Sequence, residues 1–167
     1  ADAEEANNAL TASIRNQGLD VEKLSKKYDA IAVAIQKKTT FDDDQVKAGI
    51  ALAQSMAGQL ELTEDLIKAT VDFAAANKMD LESAFNLVGK SVGTNTNALG
   101  RYGIELKENA TASEKMAAVT AGLQGKYNGL SEAQAKGLGS LKQLKNAMGD
   151  FLELIGQQFA PYVSKAA

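Results

Sequence analysis

Apolar residues along this chain recur at intervals of three or four positions, which is the spacing of one face of an α-helix. The clearest run is Val21, Leu24, Tyr28, Ile31 and Ile35. The breaks between such runs carry helix-capping residues or glycine instead of long polar linkers. The pattern predicts an all-α fold without significant sheet: a compact domain of six or seven helices with one long C-terminal helix.

The predicted helix starts coincide with residues whose side chains cap helix N-termini. The first helix should run from about Ala3 to Gln17 and end at Gly18, because glycine is a common helix terminator. Thr111 and Glu114 have the spacing of a capping box. The predicted caps of the later helices are Asp20, Asp42, Thr63, Asp80 and Thr111.

The helical period fails between Gly93 and Lys107, where a Thr-Asn-Thr-Asn run is followed by two glycines around Arg101 and Tyr102. We therefore expect an ordered non-helical connection in this stretch. The turn sequence Asn128-Gly129 should end the sixth helix.

The last predicted helix, from about Ser131 to Ala160, is the longest and would measure ~45 Å at 1.5 Å per residue. Its four glycines each cost ~1 kcal/mol relative to alanine inside a helix. Such glycines indicate close helix packing or a segment that rearranges when it meets partners, and Pro161 should end or kink the helix. The candidate interaction residues on its apolar stripe are Leu141, Leu144, Met148, Phe151, Ile155 and Phe159.

A length of 167 residues suits a single helical domain covering the whole chain. A subdivision is the alternative, with an N-terminal helical pair at 1–38, a helical core at 42–127 and the long C-terminal helix at 130–167. The missing initial Met, with a helix beginning almost at once, suggests a piece of a longer protein.

Charge and composition narrow the function classes. A net charge of −3 with interspersed signs offers no basic face for phosphates, so no specific nucleic acid is expected. The absence of Cys and His removes thiolate chemistry, the commonest metal ligands and the commonest general base, and we expect no cofactor. No apolar run approaches the ~18 residues that span a bilayer.

Three local motifs partly match known ligand-binding loops, but the residues around each motif favour a structural role. The acids 42–44 lack the later Gly and Glu of a calcium loop and should charge a helix start. Gly89-Lys90-Ser91 lacks the first glycine of a phosphate-binding loop, because Ala84 stands there. Residues 100–103 have the Gly-x-x-Gly form of a nucleic-acid clamp without the strands that such domains contain. We expect no catalytic and no metal-binding residues.

The amino-acid sequences of two segments resemble the core region of phage tail tape measure proteins. The more specific one runs from Asp80 to Leu106 and reads DLESAFNLVGKSVGTNTNALGRYGIEL. The other lies near Gln143 to Gly156, within a closing helix that is followed by Pro161. The resemblance covers roughly residues 35–165.

This resemblance implies a structural protein of a phage or prophage tail that sets tail length while tube subunits polymerise around it. The implied location is the lumen of the virion tail, after assembly in the bacterial host cytoplasm. Implied partners are tail tube subunits, tail assembly chaperones and tail tip proteins, with several copies of the chain forming a homo-oligomer. The family supplies no catalytic or ligand residues to carry over.

A measuring rod needs one continuous helix, whereas this chain breaks at least five times. We therefore expect a compact domain flanking the rod, contributing to assembly, tip attachment or passage through the host envelope. One alternative is an envelope-active module whose last amphipathic helix contacts the host membrane, although the excess of acids over bases in the chain gives such contact no support. Another is a helical hydrolase that uses clustered acids such as Asp42 and Asp44.

Overall fold

The computed structural model describes residues 2–137 and confirms the all-α fold: in that range the chain forms seven α-helices and one 3-10 turn, and no strand. The helices are α1 (Ala3–Asn16), α2 (Val21–Lys38), α3 (Asp43–Ala57), α4 (Glu64–Ala76), α5 (Leu81–Gly93), α6 (Ala112–Tyr127) and α7 (Leu130–Ala135). The 3-10 turn spans Gly100–Tyr102.

The predicted capping residues begin the helices as expected. Asp20 and Asp80 accept the backbone N–H three residues later, at 3.1 and 2.8 Å, and Thr63 does the same at 3.1 Å. Thr111 and Glu114 form the predicted capping box, with both reciprocal bonds at 3.1 Å. The helix starts could be predicted because each cap satisfies backbone donors within its own helix.

The predicted last helix is interrupted, which corrects one expectation. A helix does begin next to Ser131, but α7 ends at Ala135 and Gly137 has a left-handed φ of +77°. A left-handed residue after a helix breaks its hydrogen-bond pattern, so α7 does not continue unbroken through this point. Any helix in 138–160 lies outside the described residues and stays a prediction.

A buried apolar cluster joins α1 through α6, and among the described helices the most extensive contact is between α3 and α5. Gly49 of α3 lies against the Phe85 ring, and Gly89 of α5 lies against Met56 and Ala53. At Gly93 the α5 backbone is so close to the Met56 carbonyl that a Cβ atom would overlap it. Small residues spaced by four on both helices therefore permit a backbone approach that larger side chains would prevent.

A buried polar network fixes the loop between α3 and α4. The Tyr28 hydroxyl, on α2, donates to Gln54 Oε1 and accepts the Leu62 N–H at 2.9 Å. Gln54 Nε2 donates to the carbonyls of Gly58 and Leu60 at 3.0 and 2.9 Å. Tyr28 and Gln54 are both fully buried, and no buried side-chain polar atom among the described residues lacks a partner. The network holds α2, α3 and the loop in one arrangement.

Replacing Tyr28 by phenylalanine should lower the free energy of unfolding by about 2 kcal/mol. The ring and its packing stay, but the Leu62 N–H and Gln54 Oε1 lose their partner in a buried site. Urea unfolding followed by circular dichroism measures the change. A loss under about 0.5 kcal/mol would mean that water replaces the hydroxyl and that the network is not closed.

The same hydroxyl makes the fold sensitive to alkali. Burial, partly offset by the hydrogen bond from Leu62, raises the pKa of Tyr28 to about 12. Because the unfolded chain releases this proton near pH 10, the stabilisation is complete below pH 10 and is lost as pH rises towards 12. Unfolding of the native chain should therefore show a larger loss of stability between pH 10 and 12 than unfolding of the Tyr28→Phe variant. Equal losses would contradict the assignment.

A buried lysine ties the first three helices together. Lys47 of α3 is 5% exposed, and its ammonium group contacts Asp29 of α2, Asn7 of α1 at 3.1 Å and Asp43 at 3.8 Å. Burial lowers the pKa of Lys47, but the hydrogen bond and charge of Asp29, with the charge of Asp43, outweigh it and the pKa is raised. Lys47 therefore stays charged at neutral pH.

The predicted non-helical connection follows α5 and is ordered by its own side chains. The Asn97 amide donates to the Ile104 carbonyl at 2.8 Å and accepts the Leu99 N–H at 3.2 Å. Leu99 and Ile104 are buried in the core. Lys126 of α6 donates to the Tyr102 carbonyl at 2.8 Å. The connection is thus part of the packed body.

Candidate interaction site

The most informative site lies where the described chain ends, at the contact of α7 with the rest of the body. The six-residue α7 packs on α4 and α2. We use the name α7 seat for the surface of α2 and α4 that borders α7, represented by Ile35, Val71, Asp72 and Ala75.

A carboxylate on α4 caps α7 across a large sequence distance. Asp72 Oδ2 accepts the Gly129 N–H at 2.9 Å, and Asp72 Oδ1 accepts the Ser131 N–H at 3.0 Å and the Ser131 hydroxyl. These partners are 57 and 59 residues from Asp72. Because α7 has no capping side chain of its own at Gly129, Asp72 satisfies its free backbone donors.

Within residues 2–137, neutral hydrogen-bond donors and not a cation hold the Asp72 carboxylate. It is 6% exposed, and no lysine or arginine of the described residues forms an ion pair with it. Burial raises its pKa, the hydrogen bonds from Ser131 and Gly129 oppose that rise, and the nearby charge of Glu132 adds to it. Removing this group from water therefore costs free energy, and among the described residues it is the contact with α7 that offsets this cost.

One further hydrogen bond and two buried side chains of α7 complete the contact with the seat. Gln134 Nε2 donates to the Ala75 carbonyl at 2.9 Å, and Leu130 and Ala133 are buried. A cavity of about 120 Å³ lies between the seat and α7, and Lys38 and Lys68 are among the residues lining it. Between the described residues, the contact is therefore small and partly polar, and it leaves this cavity.

The acidic run at the start of α3 has the structural role that the sequence indicates. Carboxylate oxygens of Asp42, Asp43 and Asp44 lie within 4.8 Å of one another. Asp42 begins α3 in a capping box with Gln45, and Asp43 is 3.8 Å from Lys47. The hydrogen bond with Asp42, followed by burial and the charge of Asp44, raises the pKa of Asp43. Helix capping accounts for the position of Asp42, and the pairing with Lys47 accounts for that of Asp43.

The motifs at residues 89–91 and 100–103 also have structural roles. Gly89 and Ser91 belong to α5: Gly89 packs on α3, and the Ser91 hydroxyl donates to Leu87 and accepts the Ala98 N–H. Residues 100–102 form the 3-10 turn, and Gly103 follows in a left-handed conformation. Both segments therefore serve the packing of α5 and of the connection after it.

The six candidate interaction residues from Leu141 to Phe159 lie outside the described residues, so their predicted role stays a prediction. Sequence reasoning missed Asp72, whose neighbours on α4 are Val71 and Phe73. Its only sequence signal is a charged residue inside an otherwise apolar stretch of helix. Nothing local links it to Gly129.

No family model matches the chain, and neither a curated protein nor a solved structure matches it. Within residues 2–137, none of the helices combines the length and the apolar character needed to cross a membrane.

Proposed function

We propose that this chain is part of a phage or prophage tail tape measure protein, and that it acts as a structural component in tail assembly. The observation that carries the proposal is the amino-acid sequence from Asp80 to Leu106, which resembles the core region of that family. These residues form α5 and the ordered connection after it. Several apolar side chains of this segment, such as Phe85, Leu99 and Ile104, are buried in the core.

The proposed role within the tail is that of a folded domain beside the measuring rod. A single helix of this whole chain would be roughly 250 Å long, but the described residues form seven shorter helices that pack on one another. Long-range contacts such as Tyr28 with Gln54 and Asp72 with Gly129 support a domain that does not contribute its contour length to the ruler. Tail tube subunits, assembly chaperones and tip proteins are the proposed partners.

A structural role instead of catalysis is supported by what the polar side chains do. Asp20 and Asp80 cap helices, Lys47 joins three helices, and Asp72 holds α7. Each of these groups is accounted for by folding.

Deletion in the parent phage or prophage tests the proposal. Removing codons 2–137 in frame should abolish normal tails in electron micrographs of an induced culture, and a plasmid copy of the intact gene should restore them. A matched variant that duplicates residues 2–137 should leave tail length unchanged, because a folded domain adds no rod. Normal tails from the deletion strain would overturn the tail role, and tails longer by roughly 200 Å would overturn the compact-domain role.

Envelope activity remains the alternative function, and dye release separates it from the first. The full chain should release no dye from liposomes of phosphatidylethanolamine and phosphatidylglycerol under the structural proposal. Release that is lost when Phe151 and Phe159 are changed to serine would favour the membrane-active alternative.

A further inference from the structure

The turn between α6 and α7 contains an asparagine that its neighbour makes prone to deamidation. Asn128 is followed by Gly129, and none of the other asparagines in the sequence precedes a glycine. A glycine in the next position favours the reaction, because it has no Cβ atom to hinder its nitrogen and it lets the backbone rotate. Among the described residues Asn128 is only half-buried, and it lines the cavity beside the α7 seat.

Deamidation in this turn begins with attack of the Gly129 nitrogen on the Asn128 side chain. The bond that forms joins Gly129 N to Asn128 Cγ and closes a five-membered succinimide ring. The bond that breaks releases the side-chain nitrogen, which takes the proton lost by Gly129 N and leaves as ammonia. Water then opens the ring at one of its carbonyl groups and gives aspartate or isoaspartate. The reaction consumes only water.

The folded turn holds the reacting atoms in an unproductive arrangement. Ring closure requires the Gly129 nitrogen to lie nearly eclipsed with the Asn128 Cβ atom, as seen along the Cα–C bond of Asn128. The extended ψ of 127° at Asn128 places the nitrogen far from that position. The Cα–C bond of Asn128 must therefore rotate before the ring can close.

The Asp72 carboxylate opposes this rotation. Asp72 Oδ2 accepts the Gly129 N–H at 2.9 Å, and Asp72 itself is buried on α4. Rotation about the Asn128 Cα–C bond displaces the Gly129 nitrogen, so the bond to Asp72 cannot persist through it. The displaced N–H and the buried carboxylate would each lose a partner. The contact with Asp72 and the ring closure therefore exclude each other.

From this geometry we infer that Asn128 is a deamidation site of the chain, and that Asp72 protects it by holding the Gly129 nitrogen. Isoaspartate would add a methylene group to the main chain immediately before Gly129, which displaces the Gly129 N–H from its place against Asp72. The modified turn would therefore not restore the original contact. The inference does not rest on the tail assignment, since it concerns the chain in solution.

Peptide mapping measures the reaction at this one asparagine. The full chain is kept in mildly alkaline buffer, sampled over days and digested with trypsin, which releases residues 127–136 with Asn128 as their only asparagine. Mass spectrometry then separates the amide from the acid. We expect the native chain to deamidate at least roughly tenfold more slowly than the same chain in guanidinium chloride. Asp72→Ala should react roughly tenfold faster than the native chain.

Two control variants separate local protection from a general loss of stability. Tyr28→Phe weakens the network of α2 and α3 away from the turn, and Ser131→Ala keeps the bond from Gly129 to Asp72. Both should deamidate at the rate of the native chain. If circular dichroism shows that Asp72→Ala does not fold, Asp72→Asn replaces it, and it should also accelerate the reaction.

Three outcomes would overturn the inference. The first is a native chain that deamidates at Asn128 as fast as the unfolded chain, because the folded turn would then give no protection. The second is a folded Asp72 variant that reacts as slowly as the native chain. The third is equal acceleration in the Asp72 variant and in Tyr28→Phe, which would assign the protection to overall stability.

Discussion

Replacing Gly93 by alanine is expected to lower the free energy of unfolding by about 3 kcal/mol. The added Cβ atom would overlap the Met56 carbonyl group and lie 3.1 Å from the Ala57 nitrogen. Both neighbours are backbone atoms of α3, which cannot rotate away as a side chain would, so α5 must move off α3. Urea unfolding monitored by circular dichroism gives the difference.

Gly125→Ala is the control for the intrinsic effect of the same substitution in a helix. The site is open, so the gain in helix propensity should stabilise the chain by about 0.5–1 kcal/mol. The two variants should therefore differ in sign as well as in size. Equal effects would show that α3 and α5 do not approach as closely as the Gly93 contact requires.

Replacing Asp72 by alanine is expected to lower the free energy of unfolding by about 2 kcal/mol. The change leaves the Gly129 and Ser131 N–H groups without their acceptor in a buried site. Relief of the buried charge offsets part of the loss. Because the lost bonds hold only α7, hydrogen exchange should accelerate at residues 130–135 before it changes in α3 and α5.

Two milder substitutions, Asp72→Asn and Ser131→Ala, should give smaller losses of stability than Asp72→Ala. Asparagine keeps one acceptor for Ser131 but directs an amide N–H group at Gly129, and Ser131→Ala removes only the hydroxyl bond. We expect losses in the order Asp72→Ala, Asp72→Asn, Ser131→Ala. Uniform protection of α7 in all three would contradict the capping role of Asp72.

The helix starts were predictable because their causes are local. Asp20, Asp80 and the Thr111–Glu114 pair satisfy donors within three residues, so the sequence contains both partners of each bond. The turns at Gly18 and Asn128-Gly129 were predictable because both glycines adopt a positive φ, a local conformation that glycine favours.

The α7 seat was not predictable because its partners are far apart in sequence. Asp72 and Ser131 are 59 residues from each other, and only packing of α7 on α4 brings them together. The same holds for Tyr28 with Gln54 and for Gly93 with Met56. The break at Gly137 was missed because the sequence around it continues the helical period of apolar residues.

The close packing of α3 and α5 also bears on the proposed role. The segment from Asp80 to Leu106 includes Gly89 and Gly93, which the packing of α5 on α3 requires. It also includes Asn97, which orders the connection after α5. These residues are explained by the folded domain itself. A role in the tail would therefore use the domain as a folded unit, with its C-terminal segment attached through α7.

Mass spectrometry of purified tails tests the tail assignment most directly. Trypsin cleavage after Lys78, Lys90 and Arg101 yields the peptides 79–90 and 91–101 from the segment that resembles tape measure proteins. The account predicts both peptides in tails purified from the parent phage or prophage, at a constant low ratio to the tube subunit. Tails of normal appearance that lack both peptides would contradict it.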